Sequence, residues 1–327
     1  NRIDFYSQGF RLENAGAHTN ASGTTFVYMA VRRPHKPPTA GTEVFAVDYK
    51  TAADTGTTPQ YTSNFPVDFL IRRNNITSAD SGEFIYRLTN SLLYTTNTNS
   101  EVNGGTTFIA DFGYNNGWGD TAGGDSNDYA WMFKRAPGFL DVVAYTGNNS
   151  TQLVSHNLEA IPELIIIKNR TSSAEWITYE SSIFTATNTG YIRLSSSGGS
   201  SFNPLDNVWP WNSTAPTNST FSVGYSSNIG SDYQTNQSSN NYIALLFASL
   251  DGISKVGTYS GTGNNINVDC GFSAGARFVL IKRTDSSGDW YLWDSSRGIT
   301  SGNDPWIKLN SSVDDQNSSS DYIDPLN

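Results

Sequence analysis

The chain contains one long internal repeat, whose two copies begin at Gly138 and Gly252, 114 residues apart. The register then holds without a gap for 45 positions, so that Trp176 is matched by Trp290 and Lys168 by Lys282. Solenoid repeats have periods of about 20–50 residues, and a longer period therefore indicates a whole domain. The sequence predicts a tandem array of one domain-sized unit.

Short β-branched or aromatic segments, separated by clusters of Gly, Asn, Ser and Pro, predict an all-β fold. The predicted strands of the complete unit are Val142–Tyr145, Leu164–Lys168, Trp176–Tyr179, Tyr191–Leu194, Phe221–Val223 and Tyr242–Phe247. The continuous apolar run before Lys168 indicates a strand buried on both faces. We therefore expect tandem antiparallel β-sandwich units of jelly-roll-like type.

The repeat predicts the domain organisation. Residues 138–251 form one unit and residues 35–137 a divergent one, in which Phe65–Arg72 is matched with Ile161–Lys168 and Phe84–Tyr86 with Trp176–Thr178. The linkers between units are very short, which predicts a stiff row of units that touch only at their junctions.

The third unit is predicted to be split between the two ends of the chain. Residues 252–327 carry its first part, and residues 1–34 carry its last strands, because Phe26–Arg32 shares an aromatic, alanine, hydrophobic pattern with Asp128–Lys134 and Tyr242–Ala248. A sandwich that lacks its last strands exposes open edges, which invite pairing with another chain.

This split predicts two possible arrangements. In the first, the terminal strands of one subunit complete the third unit of the next, which builds a head-to-tail homopolymer. The candidate inter-subunit residues are Phe10, Leu12, Phe26, Tyr28 and Val31. In the second, the chain is one window of a longer covalent repeat protein.

Composition excludes several classes of partner. The net charge of −10 argues against nucleic acid, whose recognition needs clustered Lys and Arg. The longest apolar run, Ile243–Leu250, is too short to span a bilayer. Cys270 is the single cysteine, so internal disulfides are excluded.

Several phrases of the sequence resemble repeats in tail-fibre and other virion proteins of marine tailed phages. They are Asn20–Gly23, Phe26–Arg33, Arg135–Phe139, Asp141–Gly147, Ala274–Arg283 and Gly288–Trp290. The resemblance implies a β-sandwich structural module exposed on a virion surface. It implies no catalytic residues.

Candidate site residues are few. The histidines are scattered, which argues against metal or triad chemistry and against an enzyme. One Gly-rich loop holds Asp120, Asp125 and Asp128, either as Ca²⁺ ligands or as part of an ordinary polar loop. No other cofactor is expected.

Tryptophan supplies a second set of candidates. Trp118, Trp209 and Trp211 lie in predicted loops, where they either stack on sugars or cap the ends of the sandwich. Trp176 and Trp290 lie at matched strand positions, which favours packing in the core.

We therefore expect a structural fibre or filament protein of a virion or extracellular surface, with a host receptor or glycan as a candidate contact. One alternative is an array of carbohydrate-binding modules. Another is a glycan depolymerase, which would require two carboxylates about 5–10 Å apart in a cleft.

Overall fold

The structure is a computed structural model that describes residues 3–6, 9–12, 18–31, 35–51, 59–74, 81–103, 110–120, 128–184, 190–202, 208–299, 302, 304–312 and 322–324. Contacts divide the chain into two compact units, residues 1–36 and residues 37–327. The described elements are almost entirely strands, and the paired strands are antiparallel, which confirms the predicted all-β, sandwich-like fold class.

The first compact unit contains a β-hairpin of β1 (Ile3–Tyr6) and β2 (Gly9–Leu12), in which Phe5 lies opposite Phe10. The candidate inter-subunit residues Phe10 and Leu12 therefore lie in a strand, and its partner is β1 of the same chain. Residues 26–31, which we call the N-terminal arm, form no strand, although the sequence predicts one there.

The second compact unit begins with a nine-stranded module, residues 37–137, the first module. Its strands are β3 (Phe45–Tyr49), β4 (Tyr61–Thr62), β5 (Phe69–Asn74), β6 (Glu83–Tyr86), β7 (Ser91–Tyr94), β8 (Val102–Asn103), β9 (Ala110–Asp111), β10 (Gly117–Asp120) and β11 (Asp128–Phe133). A large sheet has the order β3-β11-β5-β6-β7-β8, and a small sheet has the order β4-β10-β9. Tyr61 and Trp118 of the small sheet join Ile85 and Met132 of the large one in a single buried cluster.

The second module, residues 138–251, repeats this topology. Its strands are β12 (Leu140–Thr146), β13 (Gln152–Ser155), β14 (Leu164–Asn169), β15 (Ile177–Glu180), β16 (Gly190–Arg193), β17 (Ser201–Phe202), β18 (Thr220–Val223) and β19 (Asn241–Phe247). The large sheet has the order β12-β19-β14-β15-β16-β17, and β13 pairs with β18. The divergent unit and the complete unit thus share one strand order. β14 lies inside the sheet and is buried from Ile165 onwards, as its apolar run predicts.

The third module, residues 252–327, forms a smaller sheet of β20 (Phe278–Lys282), β21 (Trp290–Asp294) and β22 (Ile307–Lys308). Phe278 pairs with Asp294 as Leu164 pairs with Glu180, so β20 is the counterpart of β14. This equivalence of the two central strands agrees with the ungapped repeat.

The register of the first module corrects the sequence match by one residue. Phe69 lies opposite Phe133, as Leu164 lies opposite Phe247, so Arg73 is the counterpart of Lys168. The sequence match had assigned Arg72 to that position. It was also wrong by two residues at the next strand, where Gly82 is the counterpart of Trp176. The patterns at these strands are too uniform to fix a register, which only the pairing determines.

Two matched turns connect the modules. Ala136 and Leu140 exchange backbone hydrogen bonds around Gly138, and Leu250 and Ser254 do the same around Gly252. Both glycines have positive φ, +74° and +69°, a conformation that a Cβ disfavours. The second and third modules therefore begin with the same glycine-dependent turn.

The predicted stiff row of units that touch only at short junctions is wrong for the three modules. Side chains hydrogen-bond from one module to another, as Lys168 does to Thr98, Lys282 to Ser197 and Arg73 to Lys308.

Candidate assembly interfaces

A lysine and a tryptophan join the second module to the first. Lys168 lies at the end of β14 with its side chain fully buried, and its Nζ donates to the carbonyl oxygens of Thr98 at 2.8 Å and Ala174 at 2.5 Å. Trp176, also fully buried, donates its Nε1–H to the carbonyl of Tyr94 at 3.0 Å and packs edge-on against Phe84. Thr98, Tyr94 and Phe84 belong to the first module, so both side chains cross the junction.

The counterpart residues join the third module to the second in the same way. Lys282 Nζ donates to the carbonyl of Ser197 at 3.1 Å, and Trp290 Nε1 donates to the carbonyl of Arg193 at 2.9 Å. Arg193 ends β16 as Tyr94 ends β7. The repeat therefore encodes one junction twice.

Backbone hydrogen bonds recur at both junctions. Ala174 N donates to Thr98 O, and Gly288 N donates to Ser197 O, each at 2.8 Å. The return bonds run from Glu101 N to Arg170 O and from Ser200 N to Thr284 O. The junctions thus use main-chain groups at matched positions. At the first of them, Arg170 adds a bidentate ion pair with Glu101, at 2.8 and 3.1 Å.

The contact between the first and third modules uses different residues to bond the same carbonyl. Gly82 stands where the other junctions have Trp, and Arg73 stands where they have Lys. Arg73 Nη1 donates to the carbonyls of Lys308 at 2.7 Å and Ser311 at 2.6 Å. Lys308 ends β22 as Tyr94 ends β7, so the arginine bonds the carbonyl that tryptophan bonds elsewhere.

Gly82 leaves the space that this arrangement needs. A Cβ at residue 82 would lie 2.5 Å from Thr95 Oγ1 and 3.5 Å from Leu309 O. Thr95 and Leu309 are fully buried and themselves joined by a hydrogen bond from Thr95 Oγ1 to the Leu309 carbonyl.

Aromatic rings complete the contact among the modules. Phe278 of β20 lies 5.5 Å from Phe45 and 5.7 Å from Phe133, measured between ring centroids. Phe133 also contacts Phe247, at 6.2 Å. Each module therefore contacts both of the others, so that the first contacts the second, the second contacts the third, and the third contacts the first.

One edge of the third sheet stays open in the part of the chain that the structure describes. There β20 pairs with β21 alone, whereas its counterparts β5 and β14 each lie between two strands. All five residues of β20 are only half-buried.

The N-terminal arm presents apolar side chains to solvent. Val27 is 99 %, Met29 90 % and Val31 83 % exposed. A run of exposed large apolar residues marks an interaction site more often than a free surface. The candidate inter-subunit residues Phe26, Tyr28 and Val31 lie in this arm, whereas Phe10 and Leu12 lie in β2.

The three tryptophans proposed for glycan contact are buried, so that interpretation is wrong. Trp118 is fully buried in β10, while Trp209 and Trp211 donate their Nε1–H groups to the carbonyls of Tyr233 and Gly190. Trp118 thus lies in a strand rather than in the predicted loop, and the loop that carries Trp209 and Trp211 folds inward because large rings contribute strongly to a core. The matched residues Trp176 and Trp290 are buried as expected.

The proposed Ca²⁺ ligands are only partly within the described residues, because Asp125 lies outside them. Asp120 Oδ2 pairs with Arg72 at 2.7 Å, and Arg72 also pairs with Glu83 at 2.7 Å. Asp120 is therefore already engaged in an ion pair with a guanidinium that it shares with Glu83. Within the described ranges, no cluster of three ligating residues could hold a metal ion.

The pKa shifts of Lys168, His156 and Cys270 arise mainly from burial. Burial lowers the pKa of Lys168 to about 7, a shift that Glu175 opposes. Burial lowers the pKa of His156, whose ring lies within hydrogen-bond distance of Thr217 O. Burial, helped by Asp269, raises the pKa of the Cys270 thiol and so disfavours its reactive thiolate.

A crevice beside Trp211 is too small for a typical ligand. The space between Tyr179, Trp211 and Phe221 amounts to about 160 Å³ even when the part open to solvent is included. Pockets for small molecules usually measure about 300–1,000 Å³.

Fold and interfaces together define an all-β, three-module protein whose most developed features are the contacts between its modules. The chain belongs to a family described as Domain of unknown function (DUF7483), whose model matches residues 71–327. Comparison with curated proteins gave no match, and neither did comparison with solved structures. Among the described residues, the helices are too short and too polar to cross a membrane.

The sequence alone did not identify the junction residues as a group. The signal was present in the match of Lys168 and Trp176 with Lys282 and Trp290. Burial of a lysine costs free energy unless its amine is hydrogen-bonded. A lysine repeated at the end of an apolar strand, with a tryptophan nearby, therefore indicates a hydrogen-bond partner.

Proposed function

We propose that this chain is a structural fibre or filament protein of a virion or extracellular surface, in which repeated β-sandwich modules have a mechanical role. The observation that carries the proposal is the closed set of three junctions, two of them built from the same lysine, tryptophan and backbone bonds. A protein that must hold its shape gains from such cooperative contacts.

The location on a virion surface rests on the resemblance to tail-fibre repeats. The surface rich in Asn, Ser and Thr agrees with an exposed protein. Contact with a host receptor or glycan belongs to the same proposal, although the burial of Trp118, Trp209 and Trp211 removes the aromatic platforms first considered for it.

We assign the chain itself as its main partner, in a head-to-tail homopolymer or within a longer covalent repeat. The open edge of β20 supports this assignment, because an unpaired edge strand is a template for another chain.

Self-association can be tested on the purified chain by sedimentation and negative-stain electron microscopy over a wide range of concentrations. We expect ordered assemblies that grow with concentration. A species that stays at the monomer mass of 35.7 kDa under all conditions would argue against a fibre subunit. Release of oligosaccharides from bacterial glycans would instead favour a depolymerase.

A further inference from the structure

The two lysine-bearing junctions differ in the surroundings of the amine, and the first of them holds Lys168. Its Nζ donates to two described carbonyl oxygens, that of Thr98 in the first module and that of Ala174 in the second. Across the strand pair Lys168 faces Ile243 of β19, which has no polar side chain. An ammonium has three N–H groups, one more than these two acceptors can take, whereas a neutral amine has two. The ring of Trp176, with its centroid 5.9 Å from Nζ, is the remaining described contact of the charge.

The charge of Lys168 has no carboxylate partner within ion-pair distance among the residues that the structure describes. The carboxylates of this region are engaged by arginines, Glu101 by Arg170 at 2.8 Å and Glu175 by Arg193 at 3.5 Å. Burial lowers the pKa of Lys168 to about 7, and the charge of Glu175 offsets only part of this effect. A buried ammonium without a paired carboxylate costs free energy. This junction is therefore most stable when Lys168 is neutral.

The equivalent amine of Lys282, at the junction between the second and third modules, has a third acceptor. Its Nζ donates to the carbonyl oxygens of Ser197, Arg283 and Gly288 at 3.1, 2.9 and 2.6 Å. These three acceptors match the three N–H groups of an ammonium. Lys282 is also only half-buried, and although burial lowers its pKa, the charge of Asp289 opposes that shift. The charged form therefore costs less at this junction than at the first.

We propose that protonation of Lys168 loosens the junction between the first and second modules, whereas the junction between the second and third modules accommodates a charged lysine. The inference concerns a movement within one chain and does not depend on the proposed function. When the junction opens, water hydrates the amine, and its pKa returns towards the ordinary value of 10.5. The open form then binds more protons than the closed form between these two pKa values. Opening is thus favoured as the pH falls through this window, by up to about tenfold per pH unit, and the dependence ends below about pH 7.

Backbone amides across the two junctions report their opening separately. At the first junction, the amides of Ala174 and Glu101 donate across the contact at 2.8 and 3.0 Å. At the second, the amides of Gly288 and Ser200 do so at 2.8 and 2.7 Å. Such amides exchange with solvent when the contact opens locally. The second junction is therefore an internal control for the first.

Rapid-mixing hydrogen exchange of the purified chain tests the proposal, with each rate corrected for the intrinsic effect of pH on amide exchange. Between pH 7 and pH 9 we expect protection of Ala174 and Glu101 to increase at least about tenfold, and protection of Gly288 and Ser200 to increase less than about threefold. Equal increases at both junctions would overturn the proposal.

Two lysine variants assign the effect to one amine. Lys168→Met keeps an apolar side chain of similar length and removes the titratable group, so protection at the first junction should no longer depend on pH. Lys282→Met is the matched control and should leave the pH dependence at the first junction intact. A pH dependence that persists in Lys168→Met would contradict the proposal.

A disulfide across the first junction provides a second test that leaves Lys168 in place. Thr98 Oγ1 lies 3.0 Å from Ser173 Oγ, and both side chains are exposed. Thr98→Cys with Ser173→Cys, in a Cys270→Ser background, should hold the junction closed when oxidised. We expect the oxidised protein to lose the pH-dependent exchange at Ala174, and the reduced protein to keep it. Equal pH dependence in both forms would show that the movement does not occur at this junction.

Discussion

At the scale of single residues, equivalent positions of the three junctions hold different side chains. The junctions beside the second and third modules use Lys with Trp, and the remaining junction uses Arg with Gly. Lys168 and Arg73 both donate to carbonyls at the end of a neighbouring sheet. The two differences, Arg for Lys and Gly for Trp, keep side-chain hydrogen bonds to carbonyls of the neighbouring module. The divergent module can therefore still pack against that neighbour.

The indole hydrogen bond can be separated from the bulk of the ring at Trp290. We expect Trp290→Phe to lower the free energy of unfolding by about 1 kcal/mol, because it leaves the Arg193 carbonyl without this donor. Trp290→Ala should cost roughly 3–5 kcal/mol, since it also removes a buried ring. Chemical denaturation measures both values. Equal losses for the two variants would show that the hydrogen bond, and not packing, dominates.

Lys168 should make stability depend on pH. Its folded pKa, lowered to about 7, lies below the ordinary value of 10.5, so the unfolded chain binds more protons between these values. Stability should rise with pH through this window, by at most about 1.4 kcal/mol per pH unit. The penalty for burying the charge is fully present below pH 7.

The measurement compares the wild type with Lys168→Met from pH 6 to 10 by chemical denaturation. The difference between them isolates this group from the other lysines, including Lys282. Parallel curves would show that the amine is not buried as described.

At the scale of elements, the sequence predicted strands better than their partners. All six strands predicted in the complete unit form there, because alternating or continuous apolar patterns bounded by turn residues report burial directly. The registers of the first module were misassigned, since a slip of one or two residues leaves the local pattern almost unchanged.

The matched turns give a prediction with an internal control. Gly138→Ala and Gly252→Ala should each destabilise the protein by about 1–2 kcal/mol, because both residues occupy the left-handed region. Gly138→Ala should cost more, since its Cβ would lie 3.3 Å from Leu250, whereas Gly252 has open space. Thermal unfolding measures the losses.

Gly257→Ala is the control for these turns. A Cβ at Gly257 meets no atom within 4 Å, and its φ is ordinary, so the variant should be neutral or slightly stabilising. A loss at Gly257 as large as that at Gly252 would mean that the turn conformation is not the cause.

At the scale of the whole molecule, the modules should unfold together. Each contacts the other two through buried side chains, so a change at one junction should be transmitted across it. This differs from the independent melting expected of units in a row.

Hydrogen exchange can compare a tryptophan between modules with one inside a module. Trp176→Ala should speed exchange at the amides of Ala174 and Glu101, which bond across the junction. Trp211→Ala removes a similar ring, but one bonded to Gly190 within the second module. It should leave those amides less affected at equal loss of stability. Equal acceleration by both variants would show that the junction has no separate role.

The sequence by itself determined the all-β class, the module length and the positions of most strands, because these depend on local patterns and on a repeat visible in one dimension. It also predicted that residues 1–34 carry the last strands of the third unit, which stays a prediction. The tertiary structure decided which side chains meet between modules. Trp118, Trp209 and Trp211 lie in polar surroundings along the chain, yet they are buried in space. Arg73 and Lys168 share a role only through the pairing of distant strands. Such contacts depend on the register and on neighbouring modules, which no local pattern encodes.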